Sequence, residues 1–375
     1  MIRQSVCNKI YIYHMNQTIY SVITGTGSYL PERVVKNEEF LGCQFYGNDH
    51  QPLDKSNEEI IQKFLEITTI AERRYVADDQ LTSDIVHLAS ARAIEAAGID
   101  PETLDYVIVA HNYGDVLPGS NRVDIVPCVA ARVKHLLGIK NPATVAYDVP
   151  FGCPGWVQAM IQANYYLRSG DAKRILVAGG DTLSRISDPH DRDRMIFADG
   201  AGAVILEARP SDEPVGMLVH KTRSDTFLYS KMLQMGPSLN PAEYEATGNL
   251  YIRMNGRRLY MYALEHVPQA IKDCLDAANL QLSDISKVLI HQANGKMDDA
   301  ILDRLYSLYD MTPPADVMPM TISWLGNSSV ATVPTLLDLI VKGQLAPHEI
   351  KKGDTVVVAS VGAGMNINAF VYKMA

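Results

Sequence analysis

Two spacings of apolar residues alternate along the chain, one suited to helices and one to buried strands. From Ile19 the segment IYSVITGTGSYLPERVV alternates apolar and small residues before a proline-bearing turn, which predicts an opening core strand and a loop. Residues 83–97 (SDIVHLASARAIEAA) predict an alanine-rich amphipathic helix closed by Gly98, because glycine ends helices in the left-handed conformation without steric cost. LDYVIVAH then reads as a buried strand, residues 125–137 as a second helical stretch and ATVAYDV as the next strand. After it, Trp156, Val157, Met160, Ile161, Ala163, Asn164 and Leu167 recur at helical spacing, and RILVAGGD follows as another strand. FADGAGAVILEA from Phe197 predicts a glycine-rich turn running into a strand, while the more polar residues 37–64 predict a surface elaboration. Helices alternating with buried strands imply an α/β fold with parallel or mixed sheets.

The second half repeats the first. AAGIDPETLDYVIVAHNY, beginning at Ala96, aligns without gaps to AANLQLSDISKVLIHQAN, beginning at Ala277, each reading as helix end, Gly or Asn, polar turn and apolar strand. AKRILVAGGD similarly matches GDTVVVASVGAG near the C-terminus. Both matches point to an internally duplicated α/β unit. The linker-like ARPSDEP divides the chain into an extension (1–18), a first half (19–210) and a second half (211–375), and Met15 is an alternative start to Met1.

With 375 residues, 47% of them hydrophobic, the chain can bury a large interior. Five scattered cysteines (Cys7, Cys43, Cys128, Cys153 and Cys274) lack any C-x-x-C pair, which argues against a disulfide framework or zinc site and suits a reducing cytoplasm. No segment is long and apolar enough to span a membrane. A net charge of -9 disfavours nucleic acid, so any acidic partner needs a local basic patch. Nothing has the spacing of a metal site, dinucleotide fingerprint or P-loop.

One cysteine stands where a protein makes a nucleophile. Cys153 falls at the turn between ATVAYDV and the following helix, with Gly152 and Gly155 permitting a tight backbone and Pro154 suiting the first helical position. Unpaired N–H groups and the positive helix end there favour a thiolate, although a buried structural cysteine is the plain alternative. His291, closing the strand KVLIHQAN with Gln292 and Asn294, and Asn327, in the small-residue turn of WLGNSSVATVP, lie at the strand and helix ends where α/β proteins build sites.

DVPFGCPGW, FADGAGAV, HQAN, LGNSSVATVP and VGAGMN occur in the order and at about the separations found in β-ketoacyl-acyl-carrier-protein synthase III, a thiolase-superfamily family that the chain resembles from about Tyr20 onward. The resemblance implies the duplicated thiolase fold, five layers αβαβα, as a homodimer. It implies that Cys153 accepts an acyl group, with His291 and Asn327 as the catalytic histidine and asparagine. The backbone N–H groups of Cys153 and Ala363 would form an oxyanion hole, and Val126, Phe151, Asn294, Gly362 and Gly364 would contact substrate. Coenzyme A and phosphopantetheine thioesters would be substrates, with no further cofactor. The expected reaction is decarboxylative condensation of an acyl-CoA with malonyl-acyl-carrier protein, in fatty-acid initiation or a related lipid or polyketide pathway. Arg257, Arg258 and Lys296 form the candidate docking patch for an acidic carrier protein.

Departures bear on substrate. Bulky Pro150, Phe151, Pro154 and Trp156 replace an alanine-rich turn; FLEITTIAERRYV lacks the family's tryptophan and the glycine before Ile70; and VGAGMNIN lacks the usual aromatic and threonine. Val126 before PCVAA, where an aromatic is common, suggests a wider acyl tunnel. Alternatives are acyl transfer to a hydroxyl or amine without decarboxylation, or a non-catalytic partner subunit. A thiolase or hydroxymethylglutaryl synthase fits less well, since VGAGMN has no second cysteine and no matching glutamate stands beside Cys153.

Overall fold

The computed structural model describes residues 17–375; Cys7, Met15 and most of the expected extension lie outside the described residues. Thr18, assigned to that extension from sequence, instead opens the first strand. One mixed sheet contains β1 (Thr18–Tyr29), β2 (Tyr106–His111), β3 (Val145–Pro150), β4 (Arg174–Thr182) and β5 (Asp199–Ser211) in the order β1-β5-β4-β2-β3. A second contains β6 (Gly216–Ser224), β7 (Lys287–Ile290), β8 (Thr355–Gly362) and β9 (Asn366–Lys373) in the order β6-β9-β8-β7. The principal helices are α1 (Asn57–Thr68), α2 (Thr82–Ala97), α3 (Val129–Leu136), α4 (Gly155–Ser169), α5 (Gly256–Ala277), α6 (Gly295–Ser307) and α7 (Thr332–Val341).

Alternation along the strands builds the layers, since successive strand residues face opposite sides of a sheet. Ile108, Ala110, Ile175 and Val177 from the first sheet meet Val356, Val358, Phe370 and Tyr372 from the second in one core with α4 and α7. The intervening residues Val107, Val109, Leu176 and Ala178 pack outward on α2 and α3. Val357, Ala359, Ala369 and Val371 likewise pack outward on α5 and α6. Helices, sheet, central helices, sheet and helices make the five expected layers.

The sequence repeat is a structural repeat. α2 and α5 end in residues Gly98 (φ 63°) and Asn279 (φ 53°), both left-handed, before a short 3-10 turn and the strands β2 and β7. β2 pairs in parallel with β4 as β7 does with β8. β4 then pairs antiparallel with β5 as β8 does with β9.

Three local expectations are corrected. α3 begins at Val129, not Ile125, because Pro127 disfavours helix at the residue before it and Asp148 on β3 caps the Val129 and Ala130 amides at 2.9 and 2.7 Å. Gly200 and Gly202 lie inside β5 rather than in a turn; a Cβ at Gly202 would fall 2.8 Å from the Thr335 backbone nitrogen, so the glycine lets α7 approach the sheet. The polar region 37–64 is only partly surface, since Phe40, Phe45, Ile60 and Phe64 enter a buried cluster over the sheet ends.

Candidate active site

Cys153 follows β3 in a turn whose preceding Gly152 has φ 73°, and a Cβ on that glycine would lie 3.0 Å from the Ala363 nitrogen. α4 begins at Gly155 with Pro154 as its N-cap residue rather than its first helical residue, and Cys153 stands one position before that cap, at the helix's N-terminal end. The expected thiolate is corrected as well. Burial pushes the Cys153 thiol up to about 11 and the nearby Asp181 carboxylate adds to the rise, against the Ser329 hydroxyl and the cysteine's own amide. A helix end contributes only about 0.3–1 kcal/mol at exposed positions, too little to outweigh removal of a thiolate from water.

His291 lies immediately after β7, its amide donating to the Ala359 carbonyl at 3.0 Å. Its ring is 5% exposed and Nδ1 has no hydrogen-bond partner among the described residues. Burial pulls its pKa down to about 4, while the Ser329 backbone opposes the shift. The imidazole is therefore neutral near pH 7. Gln292 beside it is structural: Oε1 accepts from the Thr321 and Ile322 amides and Nε2 donates to the Pro319 carbonyl.

Asn327 follows Gly326, whose φ is 70°. Its amide donates to the Ile196 carbonyl at 2.9 Å and its carbonyl accepts from the Ala198 amide at 2.8 Å, fastening this turn beside the start of β5. Oδ1 accepts from the Ser329 amide at 2.8 Å, which orients the side chain and leaves Nδ2 as a donor. The Asn turn is thereby tied to Ser329, whose hydroxyl in turn accepts from Asn112 Nδ2 at 2.7 Å.

The hairpin between β8 and β9 closes the other side. A Cβ on Gly362 would sit 2.8 Å from the Cys153 nitrogen, so only glycine admits this approach, and Gly364 has φ 77°. The backbone amides of Cys153 and Ala363 are thereby neighbours. A cavity of about 490 Å³ reaches Asn327, with Phe64, Leu259, Ala293, Asn294 and Met297 in its walls.

The remaining residues chosen from sequence are dispersed. Asn294 lines the cavity but also caps α6, accepting from the Met297 amide at 3.2 Å. Phe151 packs against the central core, and Val126 is 83% exposed, so within one chain neither lines that cavity. Arg257 does line it, whereas the Arg258 guanidinium lies over the Tyr229 ring and Lys296 is exposed on α6, so no three-residue patch forms within the cavity wall. Lys55, Lys63 and Arg192 join Arg257 there and escaped the sequence reading because they come from separated segments. Ser329 and Asp181 were also missed, although one lies inside LGNSSVATVP and the other closes the apolar run RILVAGGD.

The 3-oxoacyl-[acyl-carrier-protein] synthase III family matches residues 147–226, and its C-terminal counterpart matches residues 275–374. The β-ketoacyl-[acyl-carrier-protein] synthase III of Erythrobacter litoralis is 34% identical over 95% of this chain and 99% of its own length. That of Xanthomonas campestris is 34% identical over 93% of this chain and 97% of its own. Among solved structures, the Thermus thermophilus β-ketoacyl-[acyl-carrier-protein] synthase III superposes with a TM-score of 0.76 at 30% identity, covering 94% of this chain and 99% of that one. The priming β-ketosynthase of the R1128 polyketide pathway superposes with a TM-score of 0.77 at 27% identity, covering 96% and 97%.

Proposed function

This chain belongs to the β-ketoacyl-[acyl-carrier-protein] synthase III family, and from that premise we propose that Cys153, His291 and Asn327 carry out its reaction. The protein is an acyltransferase of the condensing type, catalysing decarboxylative Claisen condensation in fatty-acid synthesis or a related pathway. The close packing of the Cys153 turn on the hairpin at Gly362 and Ala363, which sets the two backbone amides side by side, is the observation that supports this assignment of residues.

In the first half-reaction the Cys153 sulfur attacks the carbonyl of an acyl thioester. A bond forms from sulfur to the acyl carbon, the bond to the departing thiol breaks, and the cysteine proton leaves with that thiol as its S–H. The Cys153 and Ala363 amides stabilise the tetrahedral oxyanion, a preorganised contribution that needs no reorientation during reaction. In the second half-reaction a malonyl thioester loses CO₂, placing charge on its thioester oxygen. Neutral His291 and the Asn327 Nδ2 donate hydrogen bonds there. The carbanion carbon attacks the acyl carbon, the sulfur–acyl bond breaks, and Cys153 regains a proton from water, whose hydroxide the released CO₂ takes up as bicarbonate, leaving a β-ketoacyl thioester.

Lys55, Lys63, Arg192 and Arg257 around the 490 Å³ cavity suit the phosphates of a coenzyme A or carrier-protein arm. An acyl-carrier protein is the proposed malonyl carrier and the cytoplasm the proposed location. Among the described residues, no helix is long and apolar enough to cross a membrane. The assembly is a homodimer in this reading, with the exposed Leu117, Val123, Ile125 and Val126 covered by a second copy. The proposed division at 210/211 falls one residue before the end of β5 at Ser211, and β6 of the second sheet starts at Gly216. Intact-mass measurement after incubation with acyl-CoA, followed by peptide mapping, tests the nucleophile: the adduct is expected on Cys153 and absent in Cys153→Ala. Stable acylation at another cysteine would overturn it.

A further inference from the structure

We infer that Asn112 and Asp181, from the first half of the chain, are positioning residues for Asn327 in the second, acting through Ser329. The inference rests on the proposed role of Asn327 as a hydrogen-bond donor during decarboxylation. A primary amide has an accepting end and a donating end of nearly equal shape, so that role requires a neighbour that tells them apart. The Ser329 amide is that neighbour: it donates to Asn327 Oδ1 at 2.8 Å, and Nδ2 is left for the substrate.

Ser329 offers its amide from an unusual backbone. Its φ is 54°, in the left-handed region where a residue with a Cβ is strained, so the conformation has to be held by contacts around it. One contact is steric. The turn lies against β4, where a Cβ on Gly179 would fall 2.9 Å from the Val330 carbonyl oxygen. The other is polar: Asn112 Nδ2 donates to the Ser329 hydroxyl oxygen at 2.7 Å.

Asn112 is itself fixed by Asp181. β2 and β4 run in parallel with Ala110 opposite Gly179, so two residues further on, where β2 has ended, Asn112 stands beside Asp181. Its backbone N–H donates to Asp181 Oδ1 at 2.8 Å and its Nδ2 to Asp181 Oδ2 at 2.6 Å. An amide nitrogen carries two hydrogens, and Asp181 and Ser329 take one each, so the Asn112 side chain cannot turn over without losing both bonds. Asp181 is 1% exposed, and a carboxylate removed from water is retained only where donors meet it, as the two from Asn112 do. Four hydrogen bonds thus run from a strand of the first sheet to the amide of Asn327.

Ser329→Ala removes the hydroxyl and keeps the pairing of Asn112 with Asp181, whereas Asn112→Ala strips donors from a buried carboxylate. Thermal unfolding is measured for both, and Ser329→Ala decides the matter if Asn112→Ala fails to fold. Release of labelled CO₂ from malonyl-acyl-carrier protein is followed beside single-turnover acylation of Cys153. For Ser329→Ala, kcat for decarboxylation is expected to fall about tenfold with acylation unchanged, since a looser Asn327 weakens a donor acting on charge that develops at the thioester oxygen. A folded Asn112→Ala is expected to follow it. The readout that a merely structural role would not move is the double variant: Ser329→Ala is expected to cost nothing further in an Asn327→Ala background. Wild-type decarboxylation in Ser329→Ala or in folded Asn112→Ala, an equal loss of acylation, or losses that multiply in the double variant would overturn the inference. Wild-type decarboxylation in Asn327→Ala would instead remove its premise, and the inference with it.

Discussion

Cys153 and His291 are each held in their neutral form near pH 7, in contrast to sites built on a thiolate and an imidazolium. The thiol is pushed up to about 11 and the imidazole down to about 4 by the same cause, removal from water. Alkylation of Cys153 is therefore expected to accelerate about tenfold per pH unit from 7 to 10; a plateau below pH 8 would contradict the buried-thiol account. The sign for His291 follows from its depressed pKa. Between the ordinary 6.5 and about 4 the unfolded chain binds the proton that the folded chain refuses, so His291's contribution to stability is present above pH 6.5 and is lost as pH falls through that window. Thermal unfolding of wild type and His291→Gln across pH 4–7 should converge towards the acid end. The strand-end and helix-end positions of Cys153, His291 and Asn327 were legible because each lies in a recognisable motif. The partner of the Ser329 hydroxyl was not, since Asn112 lies 217 residues away in sequence and meets it only through sheet order.

At the scale of elements, glycines set how closely layers approach. The FADGAGAV segment reads as a turn because glycine is common in turns, yet β5 needs Gly202 for a different reason: its neighbour is the backbone of α7. That contact joins residues far apart in sequence, so periodicity could not reveal it. Gly202→Ala is expected to destabilise the fold by about 1–3 kcal/mol through overpacking, measured by denaturant unfolding. Wild-type stability would show that α7 can yield. The start of α3 was illegible for a similar reason, because its cap is Asp148 on a neighbouring strand rather than a residue in the helix's own sequence. The duplicated helix-turn-strand units were legible because each turn carries its own left-handed Gly98 or Asn279.

Over the whole molecule, two similar sheets present their strand ends to a common set of turns, and the proposed site draws on both halves: Cys153 from the first, His291, Asn327 and Ala363 from the second. The expected homodimer would remove the exposed strip around Val126 from water. Val126→Asp is accordingly expected to shift the protein towards monomer in sedimentation measurements at constant concentration, whereas a wild-type profile that is already monomeric would refute that assembly. The central claim concerns chemistry and is tested by separating its half-reactions. On the proposed mechanism, acylation of Cys153 depends on a sulfur and backbone amides, whereas decarboxylation depends on His291 and Asn327 as donors, and loss of one oxyanion donor costs roughly 10²–10³ in rate. Single-turnover acylation measured beside release of labelled CO₂ from a malonyl thioester should show His291→Ala and Asn327→Ala still forming acyl-enzyme while losing most decarboxylation. Wild-type decarboxylation in both variants would contradict the Cys-His-Asn account.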